Sequence, residues 1–202
     1  MTETQTSALI GALKPILSRV RTNNSAIKLP DGSRWTSDPI TRTNLTEHLT
    51  GGKPRGVCPI KQGEDTIRLA LFDLDSHKGE VPWDGMTEVA GRLIDTLELC
   101  GYRPVPWRSS GGKGIHIFVI WDAPQDAYSA RMALREILAM IGFKDGARGV
   151  QVGEIEVFPK QDEVAPGEFG NQFILPLAGA SEPLDPVFGL MPMGREFASL
   201  ID

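Results

Sequence analysis

Leu69-Ala70-Leu71-Phe72-Asp73-Leu74-Asp75 reads as an apolar β-strand that runs into two aspartates one residue apart. Successive side chains on a strand point to opposite faces, so Asp73 and Asp75 emerge on one side. Phe72 and Leu74 point the other way, into a core. Two carboxylates held this close repel each other unless a cation lies between them. Hard oxygen ligands of this kind suit Mg²⁺ or Mn²⁺. An isolated Asp-x-Asp is as readily a solvated strand end, so the surrounding chain has to carry the reading.

At 202 residues the chain is long enough to bury a real core in one domain or in one domain of two lobes. A hydrophobic fraction of 41% and a charged fraction of 23% are those of an ordinary globular protein. No apolar run reaches the length a bilayer requires, and Met1 to Ser7 lacks the basic-then-apolar pattern of a secretion signal. Cys58 and Cys100 show no Cys-x-x-Cys spacing, which favours a reduced, cytoplasmic compartment and argues against a zinc module. The net charge of −5 disfavours indiscriminate binding to polyanions, but local basic clusters can still hold nucleic acid.

Ahead of the aspartates, apolar residues over 8–20 recur at helical spacing around Pro15, predicting a short or kinked helix. Pro30-Asp31-Gly32 predicts a hairpin turn in a polar stretch that holds Arg34, Trp35 and Arg42. Arginine interleaved with an aromatic can support a nucleic-acid strand. Leu45 to Leu49 reads as a short helix ending at Gly51-Gly52, followed by Lys53 and Arg55 and a strand over 56–60. Beyond the aspartates, Met86, Val89, Ala90, Leu93, Ile94 and Leu97 mark a helix over 84–100. A short extended piece at 104–107 and a strand over 115–121 follow. A second helix is lined by Ala130, Ala133, Leu134, Ile137, Leu138 and Ile141, and further strands lie at 150–158 and 172–177. The order strand, helix, strand, strand, helix, strand predicts an α+β fold, an RRM-like antiparallel sheet with helices packed on it. A smaller N-terminal αβ lobe over about 1–65 sits beside a core over about 66–180, and 181–202 reads as a tail or linker with a short terminal helix.

Arg108-Ser109-Ser110-Gly111-Gly112-Lys113-Gly114 is the second informative stretch. Glycines let backbone N–H groups approach phosphate oxygens, and Lys113 adds a positive point charge. The Walker spacing is absent and a strand follows rather than a helix. A hairpin carrying Ser110, Lys113 and His116 can nevertheless grip a triphosphate. His116 interrupts an apolar strand, where a polar side chain needs a partner. Glu154 and Glu156 share one face of a later strand, so alternation does not separate them; Lys160 and Gln161 lie just past it. Three carboxylates, a histidine and a basic glycine loop suit two-metal phosphoryl transfer.

This set resembles the archaeo-eukaryotic primase superfamily, whose motifs are Asp-x-Asp, a Ser…His strand and a final acidic residue. Ser110-Gly-Gly-Lys-Gly-Ile-His116 is similar to the second motif, and Glu156-Val-Phe-Pro-Lys-Gln161 followed by Gly170–Leu177 to the third. The likeness is to primase-polymerases of phages, plasmids and TOTE conflict systems, with His48-Leu49-Thr50-Gly51 and Gly56-Val57-Cys58-Pro59 ahead of the aspartates, and it covers about residues 45–178. Many family members have an arginine before the last Leu-Pro, where this chain reads Asn171-Gln172-Phe173-Ile174.

The resemblance implies a primase-polymerase catalytic domain over 1–180 that extends a nucleic-acid 3′-hydroxyl from nucleoside triphosphates. It implies two divalent ions, Mg²⁺ or Mn²⁺, on Asp73, Asp75 and Glu156. Ser110, Gly112, Lys113 and His116 would hold the nucleotide's phosphates, with Lys160 and Gln161 beside the nucleotide or primer end. A single-stranded or primed DNA template would run over basic residues such as Arg34, Arg42, Lys53, Arg55 and Arg108. The setting implied is a bacterial or phage-infected cytoplasm, with a helicase as a fused or separate partner. Two other readings compete. Leu71-Phe72-Asp73-Leu74-Asp75 also resembles the first motif of haloacid-dehalogenase-type phosphatases, with Asp73 as nucleophile on a parallel sheet. The same fold could also serve as a catalytically silent nucleic-acid-binding module.

Overall fold

Thr2 and Gln5 form a capping box at the start of α1 (Glu3–Ala12), each side chain bonding the other's backbone N–H. Pro15 lies in the first turn of α2 (Lys14–Leu17), where an N–H has no intrahelical partner to lose. The kinked helix expected around Pro15 is therefore two short helices. Pro30-Asp31 turns β1 (Ser25–Leu29) back into β2 (Gly32–Thr36) as an antiparallel hairpin. A second capping box, Thr41 with Asn44, opens α3 (Arg42–Leu49). β3 (Arg55–Val57) pairs with β1 on one side and with β9 (Phe173–Ile174) on the other, closing a four-stranded sheet in the N-terminal lobe. A computed structural model describes residues 1–197.

The larger sheet is built on β4 (Thr66–Leu74), which lies between β6 (Ile115–Asp126) and β8 (Glu154–Phe158) and runs antiparallel to both. β5 (Val105–Arg108) forms one edge against β6, and β7 (Lys144–Asp145) adds a parallel edge to β8. The chain order β4, α4 (Trp83–Leu99), β5, β6, α5 (Ala127–Met140), β8 with sheet order β5-β6-β4-β8 gives the expected RRM-like frame.

Alternation along the strands sorts this sheet into two apolar faces. Phe72, Leu74, Ile115, Ile117 and Val157 pack under α4 and α5, which contribute Met86, Leu93, Leu97, Leu134 and Leu138. The opposite face sets Leu69, Leu71, Phe118 and Phe158 against Leu9, Leu13, Leu45 and Phe173 of the N-terminal lobe. The acidic end of β4 thus opens into the seam between the two lobes.

Three elements differ from the sequence reading. Residues 150–152 form a 3₁₀ turn, and β8 begins only at Glu154, because Gly149 and Gly153 both hold positive φ. The strand near 172–177 shortens to β9 and joins the N-terminal sheet rather than the larger one. Residues 182–195 pack on the body through β10 (Leu184–Asp185) and β11 (Met191–Pro192), with Leu184 and Leu190 buried and Pro183 bridging to Trp107. Arg195 then ties this segment to the carbonyls of Leu49 and Gly179. The short terminal helix, where it falls on 198–202, lies outside the described residues.

Candidate active site

Trp107, His116, Asp73 and Glu156 stand side by side on four neighbouring strands, paired directly across each ladder. Directly opposed residues share a face, so this row points into the seam between the lobes. His116 Nε2 lies 3.3 Å from Asp73 Oδ1. That is ion-pair distance without hydrogen-bond geometry, and Oδ1 is buried with no hydrogen-bond partner among the described residues. Asp75 sits one residue past the end of β4, where Val150 N–H donates to its carbonyl at 3.0 Å. Lys160 Nζ is 2.6 Å from Glu156 Oε2.

The two aspartates feel one another. The negative charge of Asp73, and then burial, push Asp75 up to about 6. Burial alone would raise Asp73 too, but the neighbouring His116 outweighs it and holds the carboxyl below the usual range. Burial opposes a charged His116, and the Asp73 carboxylate overcomes it and raises the imidazole. A buried carboxylate oxygen without a donor, beside a second carboxyl driven towards its neutral form, is the situation a divalent cation relieves. The donors are hard oxygens, which fits Mg²⁺ or Mn²⁺. Among the described residues, no three His, Cys, Asp or Glu side chains are gathered tightly enough to make a complete metal cluster. The third carboxylate, Glu156, is engaged by Lys160 instead.

The glycine loop closes one side of the row. Ser109 N–H donates to Gly114 O at 2.8 Å, and Ser109 Oγ accepts from Gly114 N–H at 3.1 Å. Gly112 takes a φ of +78°, and a Cβ there would stand 3.1 Å from the Ala180 methyl. Gly114 is demanded by proximity, because its Cβ would stand 2.6 Å from Leu74 O and 3.0 Å from Asp75 Oδ1. The loop is thus folded tightly against the aspartates. Together they line a cleft of about 540 Å³ whose far wall is the β1–β2 hairpin and the 170–174 segment.

With this geometry in view, the family comparison is decisive. The family model described as the TOTE conflict system archaeo-eukaryotic primase domain matches residues 5–185. The chain belongs to that family. No curated protein matches it. Among solved structures, the polymerase domain of Mycobacterium tuberculosis Ligase D, in complex with DNA, superposes with a TM-score of 0.58 at 14% identity, covering 96% of this chain and 86% of that one. That likeness speaks to the fold. The primase-polymerase domain of cyanophage S-2L gives a TM-score of 0.44 at 18% identity, over 79% of this chain and 92% of that one. The phosphatase alternative required a parallel sheet around Asp73, whereas β4 is antiparallel to both neighbours.

In this primase-family domain the residues singled out by sequence fall into two groups. Asp73, Asp75, Glu156, Ser110, Lys113, His116 and Lys160 all line the one cleft. Gly112 and Gln161 do not. Gly112 shapes the turn, and Gln161 braces the next loop, accepting from Asn171 N–H at 2.7 Å and donating to Glu163 O at 3.1 Å. Glu154, which alternation could not separate from Glu156, is bonded to the backbone and guanidinium of Arg148, chiefly through those bonds held down at about 2.

The basic residues named for a template lie elsewhere. Arg55 is buried and bonds Ser25 and Glu47. Arg42 joins α3 to α1 through Glu3 and Ser7. Arg108 pairs with Glu182 and lies over the Trp83 ring. Arg34 is exposed on the outer face of the hairpin, since its neighbours Ser33 and Trp35 face the cleft. Lys53 is exposed and outside the cleft wall. The cleft adds residues that sequence reading did not assign: Lys28, Ser33, Asn171 and Gln172, with Trp35 now separated from its arginine neighbours. Alternation along residues 25–29 and 32–36 was the available signal, because Lys28 opposes Ser33 and Ala26 opposes Trp35.

Proposed function

We propose that the domain is a template-directed nucleotidyltransferase, joining nucleoside triphosphates to a nucleic-acid 3′-hydroxyl with release of pyrophosphate. The observation that carries this reading is the cross-strand row. It sets two carboxylates and a histidine beside a basic glycine loop, all within one cleft of about 540 Å³. That volume suits a nucleotide, and the lining combines carboxylates and lysines with the aromatic rings of Trp35, Phe158 and Phe173.

Asp73, Asp75 and Glu156 would hold divalent ions, which when bound would supply neutralisation of phosphate charge and activation of the attacking hydroxyl. Lys113 orients the triphosphate through charge-assisted hydrogen bonds, with the His116 imidazole and the Ser110 hydroxyl as further donors beside it. The 3′-oxygen bonds to the α-phosphorus, the bond from that phosphorus to the bridging oxygen breaks, and pyrophosphate leaves as the hydroxyl proton is released. The Asp73 carboxylate beside it raises the His116 imidazole against the effect of burial and holds the ring in place, as positioning demands. The Ligase D polymerase domain, whose fold this chain shares, is a polymerase domain seen with DNA, which supports reading this fold as a polymerase.

The test is incorporation of labelled nucleotide on single-stranded templates, with and without a primer, in Mg²⁺ and in Mn²⁺. Extension in at least one lane supports the reading. No product in any lane, from a protein that melts cooperatively, counts against it.

A further inference from the structure

The charges that line the cleft do not cancel one by one. Glu156 is paired with Lys160 and Asp73 with His116. Two ammonium groups of the same cleft, Lys28 and Lys113, form no ion pair with a carboxylate among the described residues. Lys113 belongs to the glycine loop. Lys28 comes from the other lobe, on β1, and its Nζ reaches across to donate to Ser110 Oγ at 2.9 Å. It is a contact between residues 82 apart in the chain, and it spans the cleft from the hairpin to the glycine loop.

The hairpin is built to present this lysine. Its backbone N–H is fixed to Pro54 O at 2.9 Å, and its ladder partner is Ser33. One step along the same face, Ala26 opposes Trp35. The two large side chains, Lys28 and Trp35, therefore lie on one diagonal of the hairpin face and the two small ones, Ala26 and Ser33, on the other. Such a pattern makes a trough with an ammonium at one end and an indole at the other. Lys28 is exposed, so it can leave a neutral hydroxyl for a stronger acceptor at little cost. A polyphosphate is that acceptor, since hydrogen bonds to an ionised oxygen are roughly twice as strong as neutral ones.

We infer that Lys28 is a triphosphate-binding residue, with the N-terminal hairpin as the second wall of the nucleotide cleft and the Lys28–Ser110 bond as its resting contact. The inference rests on the cleft's being a nucleotide site, and it adds the residue by which the N-terminal lobe takes hold of the polyanion.

The experiment measures binding of dATP, inorganic tripolyphosphate and deoxyadenosine to the full chain by calorimetry. It compares wild type with Lys28→Met, Lys28→Arg and Lys113→Met. Lys14→Met, an exposed lysine outside the cleft, controls for the loss of one charge. Lys28→Met is expected to weaken dATP and tripolyphosphate alike by about tenfold or more, with deoxyadenosine unchanged. Lys28→Arg should recover part of the loss, and Lys14→Met should bind as wild type does. If Lys113→Met weakens dATP while Lys28→Met does not, the role of Lys28 is overturned and the cleft's assignment stands. If wild type binds neither dATP nor tripolyphosphate, both fall together.

Discussion

The ammonium of Lys160 lies 2.6 Å from Glu156 Oε2, so the third carboxylate of the cleft already has a cation beside it. Lys160 follows β8 by two residues and reaches back over the Phe158 ring, 4.8 Å from its centroid. A divalent ion that uses Glu156 must compete with this contact. Lys160→Met should therefore tighten Mn²⁺ binding several-fold in the absence of nucleotide, read by titration of the free-ion electron paramagnetic resonance signal. An unchanged affinity would separate Glu156 from the ions.

Asp75 gives a stability signature. Its folded pKa is raised from 3.8 to about 6, so the folded state holds the proton more tightly than the unfolded one. That contribution is complete below about pH 4 and is lost as the pH climbs through 6. Asp75→Asn should be more stable than wild type at pH 7 in chelator, by on the order of 2 kcal/mol, with the gap narrowing towards pH 4. Thermal melts across that range give the answer, and parallel curves would mean that Asp73 does not press on Asp75.

His48 works in the opposite sense. Its Nδ1 accepts from Arg55 N–H at 2.9 Å and its Nε2 donates to Pro176 O at 2.7 Å, which needs the neutral ring. Burial is the main cause that lowers it from 6.5 to about 4. The stability it contributes is present above pH 6.5 and lost as the pH falls through 4. His48→Gln should cost on the order of 2 kcal/mol at pH 7.5, and the difference in urea midpoint should shrink towards pH 4. A difference that does not vary with pH would contradict this.

Gly114 is where shape and chemistry meet. A methyl group there would crowd Leu74 O, which cannot retreat without moving the end of β4, and Asp75 Oδ1, whose carboxylate would have to turn aside. Gly114→Ala should cost about 1–3 kcal/mol of stability. It should also lower nucleotide incorporation far more than that loss explains. Full activity in a destabilised variant would show that the placement of Asp75 is not critical.

Much of this was legible in the sequence, and the gaps have physical causes. Helix α4 announces itself because Met86, Ala90, Leu93 and Leu97 recur at the helical period and are all buried. The Asp-x-Asp strand and His116 stand out because charge inside an apolar run is costly unless something uses it. The arginines deceived for a related reason. Arg55 has the composition of a surface contact, yet it is buried beside Ser25 and Glu47, and only tertiary structure brings those partners to it. Lys28 was missed because alternation on a five-residue strand sorts its residues onto two faces without saying which face meets the cleft, and only the packing of the lobes decides that. The destination of Phe173–Ile174 was likewise hidden, since an apolar pair fits either sheet and long-range pairing decides between them.

The most direct measurement is extension of a primed template by a single labelled nucleotide, comparing wild type with Asp73→Asn at matched folding. Asp73→Asn keeps the shape of the side chain while removing the charge that is proposed to bind cations and that raises the His116 imidazole. The account predicts pyrophosphate and a primer longer by one nucleotide from wild type, and a rate at least a hundredfold lower, on the order of 3 kcal/mol in the barrier, from the variant. Equal extension by both proteins would contradict it.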